Sequence, residues 1–271
     1  MLFDAVPRPV RRITSRHNPQ VASYRAAARG ELAGRILLDG PHLLADALAA
    51  GHQVEHAAIV STAADREEIQ TLRSALDAAD TEVVIVTPPV MAAISPVRSS
   101  SAVVALAARP APAAARLYAG SAPFVLIAID VQDPGNLGAI VRAAEAGCAT
   151  SVIAAGACAD PFGWKALRGS AGSAFRLPLA VARDADGVVR DARQHGCRIV
   201  ATVPRGGRSP FEMNLREPAA VLIGGEGPGL TPALIAQADE RLTIPMRAPV
   251  ESLNAAVTAA IVVYEAMRQR S

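Results

Sequence analysis

The sequence predicts two α/β domains, the second built on a largely parallel sheet covered on both faces. Three observations carry this reading. Short apolar, β-branched runs alternate with helix-length segments along most of the chain, the alternation pauses once at a Pro/Ala-rich stretch, and polar loops follow three of the predicted strands. Taken in order, residues 1–30 read as a basic arm, because Arg8, Arg11, Arg12, Arg16, Arg25 and Arg29 face a single acid, Asp4, in a chain of net charge +2. Arginine forks suit phosphate, so Arg11, Arg12, Arg16 and Arg25 are candidate nucleic-acid contacts. Residues 31–108 read as a small α/β domain, with strands over 35–38, 54–60, 82–87 and 102–107 and helices over 42–50 and 65–79. Arg109-Pro-Ala-Pro-Ala-Ala-Ala opens a linker over 109–121. The second domain, 122–271, has strands predicted at 124–129, 151–154, 198–202, 220–224 and 241–244, with helices at 138–147, 186–195, 231–238 and 252–269.

Composition excludes several classes. At 271 residues, 51% hydrophobic and 19% charged, the chain can bury one or two ordinary cores. No apolar run reaches the roughly 18 residues that a membrane span needs, and no apolar stretch follows the amino-terminal arginines as it would in a secretory signal. Cys148, Cys158 and Cys197 are odd in number and lack CxxC spacing, which points to a reduced, cytoplasmic chain. The histidines show no HxxxH or HxH spacing, so no metal site is expected.

Chemistry concentrates after three strands of the second domain. Asp130-Val-Gln-Asp-Pro-Gly-Asn-Leu-Gly-Ala-Ile-Val-Arg142 joins a buried strand to an Ala-rich helix, with Asn136 placed to cap it and Arg142 two turns further on. Val221-Leu-Ile-Gly-Gly-Glu-Gly-Pro-Gly-Leu-Thr231 is a glycine-rich turn, but it carries neither Gly-Lys-Ser/Thr nor GxGxxG. Glu226 at its centre would repel a pyrophosphate, whereas it suits a ribose, an amine or a neighbouring cation. Leu242-Thr-Ile-Pro-Met-Arg-Ala-Pro-Val-Glu-Ser-Leu-Asn254 leads into the last helix, where Ser252 and Asn254 would serve as caps and Leu253, Val257 and Ile261 as core positions. Three such loops outside the carboxyl ends of strands in one sheet mark a ligand site.

Together these segments resemble the SpoU/TrmH class of the SPOUT superfamily, the knotted S-adenosylmethionine-dependent RNA ribose methyltransferases. The first family motif is matched by Asp133-Pro134, Asn136, Gly138, Arg142 and Gly147. The second is matched by Gly224-Gly-Glu-Gly-Pro-Gly-Leu230, and the third by Ile244-Pro-Met246 and Ser252-Leu-Asn254. Ala248 and Ala255-Ala256 depart from the pattern by small-for-small changes. The first domain resembles the family's L30e-like substrate-binding module through Gly40-Pro-His-Leu-Leu-Ala-Asp-Ala-Leu48. The resemblance implies a carboxyl-terminal trefoil knot, a homodimer and an RNA substrate. It places S-adenosylmethionine against Thr202, Gly224, Gly225, Ile244, Met246 and Leu253, and catalysis at Asn136, Arg142, Glu226, Ser252 and Asn254, without metal.

The implied reaction is methyl transfer to a ribose 2′-hydroxyl, which leaves the protein to orient the groups and assist the loss of one proton. A guanidinium stays protonated in proteins, so Arg142 is expected to stabilise the developing alkoxide rather than to act as base. The two-domain build with a basic arm resembles the branch acting on large-subunit (23S) rRNA. A tRNA ribose methyltransferase and a noncatalytic RNA-binding assembly factor are the alternatives within the fold. A dehydrogenase-like nucleotide enzyme would need the phosphate loop that this chain lacks.

Overall fold

The computed structural model describes residues 11–271 and divides into two compact units, Met1–Pro110 and Ala111–Ser271. In the first unit the strands are β1 (Arg11–Ile13), β2 (Arg35–Asp39), β3 (Val54–Val60), β4 (Glu82–Val86) and β5 (Val103–Ala108). They form a mixed sheet in the order β1-β4-β3-β5-β2, with β5 antiparallel to both its neighbours and the other pairs parallel. The helices are α1 (Pro19–Ala28), α2 (Pro41–Ala49), α3 (Glu67–Ala78) and α4 (Pro88–Ile94). Among them α1 packs with α4, and α2 with α3.

The basic arm read from the sequence is corrected here. Residues 1–10 lie outside the described residues, but Arg11–Ile13 is an edge strand paired with β4, and Pro19–Ala28 is a helix that buries Val21, Tyr24 and Ala27. Its start is conventional, since Asn18 Oδ1 accepts the Gln20 amide at 2.9 Å and Pro19 occupies the first turn. Arg11, Arg12 and Arg25 therefore sit on β1 and α1, and Arg16 and Arg29 in the turns beside them. Arg16 Nε donates to Pro89 O at 3.1 Å, Arg25 Nε donates to Ala93 O at 2.9 Å, and Arg11 lies 3.9 Å from Glu82, while Arg12 is exposed on β1.

The second unit contains β6 (Phe124–Ile129), α5 (Pro134–Ala146), β7 (Ser151–Ala155), α6 (Trp164–Ser170), β8 (Leu179–Ala182), α7 (Ala185–Gln194) and β9 (Arg198–Thr202). It continues through β10 (Ala219–Gly224), α8 (Pro232–Gln237), β11 (Glu240–Leu242) and α9 (Ala255–Arg270). Its sheet is parallel throughout, in the order β11-β9-β10-β6-β7-β8. Every residue of β6 and β7 is buried, as expected for a sheet covered on both faces. Val188, Val189, Ala192 and Leu234 of α7 and α8 cover the face that includes Val125, Ile127 and Ile129. From β6 the strands run outward through β7 and β8, then the chain returns to the far side and inserts β10 between β9 and β6. That reversal is a topological switch point, where the carboxyl-end loops diverge and leave a crevice.

Three further corrections concern local structure. The 109–121 stretch is not a free linker, because Leu117 is only 7% exposed within the core and its carbonyl accepts the Ser151 hydroxyl at 2.7 Å. The cap of α5 is Asp133, whose Oδ1 accepts the Asn136 amide at 2.7 Å, so Asn136 lies inside the first turn with its side chain free for other work. On α9 the expected core row fails. Val257 is 47% exposed and Leu253 and Ile261 are half-buried, while Ala255, Ala259, Val262, Val263 and Ala266 face inward. The period was helical but the face was wrong, because α9 lies so close to α5 that a Cβ on Gly147 would run into Val263. Such close packing selects the Ala/Val stripe.

The end of α9 is tied down by polar contacts. Gln269 accepts the Leu215 amide at 2.8 Å and donates to Met213 O at 2.9 Å, and Arg270 donates to the carbonyls of Leu215, Ala122 and Glu217 at 2.6, 2.6 and 2.7 Å. Glu265, buried beside them, accepts from Arg268 at 2.8 and 2.9 Å and from Gln269 at 2.7 Å. The Arg268 hydrogen bonds hold its carboxyl at about 2, against the opposing push of burial. A carboxyl depressed on folding stabilises the protein fully above its ordinary 4.5, and that stabilisation fades as pH falls toward 2. Wild type should therefore melt above Glu265→Gln at pH 6, with the gap narrowing steadily as thermal melts move to pH 3. A gap that stays constant over that range would remove Glu265 from the acid response.

Candidate active site

The loops that follow β6, β9, β10 and β11 meet at the switch point. β6 is followed by Asp130, which has a left-handed φ of 55° and whose Oδ1 accepts the Ala157 amide at 2.6 Å. The loop after β10 lies directly against it. Gly225 N donates to Ile129 O at 2.8 Å, and a Cβ on Gly225 would press into the Asp130 carbonyl and come within 2.9 Å of Val131 N. Glycine is needed here for close backbone approach.

This contact places Glu226 over the start of α5. Asn136 Nδ2 donates to Glu226 Oε1 at 2.5 Å, the Gln132 amide donates to Glu226 Oε2 at 3.2 Å, and Asn254 Nδ2 donates to Asn136 Oδ1 at 2.9 Å. A directional relay thus runs from Asn254 through Asn136 to Glu226, across segments far apart in sequence. Burial pushes the Glu226 carboxyl up, but the hydrogen bonds from Asn136 and from backbone amides outweigh it and hold the group below the usual carboxylate range. Asn254 has two roles at once: its Oδ1 caps α9 by accepting the Ala256 amide at 2.8 Å and the Val257 amide at 3.3 Å.

Beside the relay lies a cavity of about 600 Å³. It is walled by the backbone of Gly224–Leu230 and by Thr202, Ile235, Leu242, Ile244, Met246 and Leu253, with Glu226, Ser252 and Asn254 on its polar side. All six residues expected from the sequence to contact a cofactor line it. The Thr202 hydroxyl is already spent on Leu222 O at 2.8 Å, so this residue offers the cavity its remaining atoms. Sequence reasoning missed Val203, Pro204, Ile235 and Thr258 in the lining, and also Asp133, the cap that frees the Asn136 side chain. Only the Asp-Pro turn signalled Asp133, and nothing local signalled the others.

Arg142 stands apart. It is exposed, six residues past Asn136 and so about 9 Å further along α5, and among the described residues it makes no hydrogen bond or ion pair. Its charge is uncommitted among those residues. No cluster of His, Cys, Asp and Glu suited to a metal occurs among the described residues. The three cysteines are free thiols, and no helix among those residues is long and apolar enough to cross a membrane.

The family description "SpoU rRNA Methylase family" matches residues 123–264, which contain the relay and the cavity lining. The chain belongs to that family. An uncharacterized tRNA/rRNA methyltransferase of Synechocystis is 32% identical over 266 residues, covering 95% of this chain and 94% of that protein. The Bacillus subtilis 23S rRNA (guanosine(2553)-2′-O)-methyltransferase RlmP is 38% identical over 140 residues, 52% of this chain and 56% of that protein. Among solved structures, the SpoU methyltransferase AviRb of Streptomyces viridochromogenes, in complex with AdoMet, superposes with a TM-score of 0.84 at 29% identity. That match covers 94% of this chain and 98% of that one. The family is one of RNA methyltransferases, so the chain is an enzyme of that class. Its match begins at the strand that opens the second unit and ends within α9, the span over which the three sequence motifs were found.

Proposed function

We propose that this protein transfers a methyl group from S-adenosylmethionine to a ribose 2′-hydroxyl of structured RNA, with large-subunit rRNA as the substrate class. The observation that carries the reading is the pairing of a nucleoside-sized, phosphate-free cavity with the Asn254–Asn136–Glu226 relay at its rim. The cavity fits the methyl donor. Its volume falls within the range of small-molecule sites, its walls are apolar and glycine-rich, and no residue set in it would cradle a pyrophosphate. Thr202, Gly224, Gly225, Ile244, Met246 and Leu253 would hold the donor, which supplies an electrophilic methyl group.

The chain's own residues then have definite tasks. Glu226 is engaged on both oxygens and held below the usual carboxylate range, so it orients Asn136, and the hydroxyl proton leaves to water. Asn136 and Asn254 form a rigid amide edge, and Ser252 completes the wall. Arg142, a cation with no ion pair among the described residues, would meet the developing alkoxide or its neighbouring phosphate. Ribose 2′-O chemistry on 23S rRNA is stated for RlmP, and that relative supports the finer assignment.

The reading carries further expectations. A trefoil knot is supported by the insertion of β10 between β9 and β6 and by the return of α9 onto α5. An L30e-like RNA-binding role for the first unit is supported by its mixed sheet between two helix pairs and by the arginines on β1 and α1. A homodimer is supported by Val257 and Tyr264, which leave apolar surface on the outer side of α9. A cytoplasmic location is the expectation that an RNA substrate supports. The test is incubation of rRNA with labelled S-adenosylmethionine and nuclease digestion of the product. The label should lie on a ribose oxygen and its yield should be unaffected by a chelator. Label on a base would overturn the oxygen assignment, and no label on any RNA would favour the noncatalytic assembly factor.

A further inference from the structure

The sole tryptophan and the sole lysine of the chain, Trp164 and Lys165, are adjacent at the start of α6. Lys165 Nζ lies 5.5 Å from the centre of the Trp164 ring, which is half-buried, while Lys165 is exposed. Among the described residues no carboxylate pairs with this ammonium. The pair therefore presents a half-buried aromatic ring with an exposed ammonium over it, which an incoming base can displace toward its own phosphate.

Its position ties it to the active site. The loop before α6 is stitched to the loop that leads to Asn136: the Ala157 amide donates to Asp130 Oδ1 at 2.6 Å, the Ala159 amide to Val131 O at 2.9 Å, and the Val131 amide to Cys158 Sγ at 3.2 Å. α6 itself rests on the first turns of α5 through two glycines. A Cβ on Gly169 would come within 3.2 Å of Gly135 O and 3.3 Å of the Gly138 Cα, and a Cβ on Gly138 would press into Ala166 O. The aromatic–cationic pair thus sits on a helix packed closely against the turn that carries Asn136, although the relay and the cavity do not use it.

We propose that Trp164 and Lys165 form a platform for an unpaired nucleotide flanking the methylated one, with the base stacked on the indole and its phosphate on the ammonium. The proposal rests on the RNA methyltransferase reading. RNA loops are commonly recognised by splaying a base onto an aromatic ring, with a cation taking the adjacent phosphate.

The test uses the full-length protein and a short single-stranded RNA oligonucleotide of mixed sequence. Because Trp164 is the only tryptophan, its emission should be quenched by the oligonucleotide and left unchanged by S-adenosylmethionine. Trp164→Ala should weaken oligonucleotide binding on the order of 10-fold, the usual scale for one stacked base, and Trp164→Phe should retain most of the affinity. Lys165→Ala should reduce the slope of log affinity against log salt by roughly 0.7, as loss of one single-strand phosphate contact does. All three variants should bind S-adenosylmethionine like wild type. An oligonucleotide that binds without quenching, or a Trp164→Ala variant with wild-type affinity, would overturn the platform even if ribose methylation is confirmed. Quenching and weakened binding in a protein that methylates no ribose would instead sustain the platform and overturn the reaction.

Discussion

Arg142→Ala is expected to lose on the order of 10²-fold or more in single-turnover rate, the scale seen when a positioned charge donor is removed from a developing oxyanion. Cofactor affinity should barely move, because Arg142 does not line the cavity and bonds to none of its walls. A residue that is exposed, cationic and uncommitted has no structural task whose loss could mimic this effect. The variant should melt with wild type. Arg142→Lys should recover little, since lysine keeps the charge but loses the planar fork that binds phosphate or alkoxide from two nitrogens. Measurement at saturating RNA and cofactor excludes binding defects. Near-normal turnover in the alanine variant would remove Arg142 from the chemistry.

The second large effect is expected at Gly225. An alanine Cβ there would collide with the Asp130 carbonyl and the Val131 amide, both of which are backbone and cannot swing aside. The loop must lift, carrying Glu226 away from Asn136 and Gly224 away from the cavity. Displacements of about 1 Å at a positioned site can reduce turnover by on the order of 10²-fold, and cofactor binding should weaken with it because Gly224 and Gly225 are part of the wall. Gly227 provides the contrast. Its φ of 93° strains any side chain, but nothing lies within 4 Å of the added atom. Gly227→Ala should therefore lose about 1 kcal/mol of backbone preference and leave the relay in place. Calorimetry with S-adenosylmethionine and single-turnover rates on both variants check this. Equal losses at the two positions would show that loop conformation, rather than the contact with Asp130, governs the site.

Much of this protein was legible before any coordinates. The strands at 124–129 and 198–202 were placed to the residue, because buried parallel strands read as unbroken apolar runs. Gly224, Gly225, Ile244, Met246 and Leu253 of the cavity lining were legible through the spacing of two motifs, whereas Val203, Pro204, Ile235 and Thr258 come from segments that carry no motif. Other features were hidden for particular reasons. β1 and α1 were masked by their arginines: the basic charge drew attention from the Asn18-Pro19 helix start and from Val21, Tyr24 and Ala27 on one face. α6 was hidden by its short length and its small residues, although those small residues are what let it touch α5.

By itself the sequence determined the alternation of elements, the parallel second sheet and the family, since each depends on local periodicity or on a motif of fixed spacing. Only the tertiary structure decided which groups touch. The 2.9 Å bond from Asn254 to Asn136 spans 118 residues, and the 2.5 Å bond from Asn136 to Glu226 spans 90. The same is true of α9, whose buried face could not be read from a helix that is apolar on several faces over Ala255–Tyr264. Periodicity fixes the angular spacing of side chains along a helix, but where several faces are apolar, the neighbour that comes closest selects the one to bury.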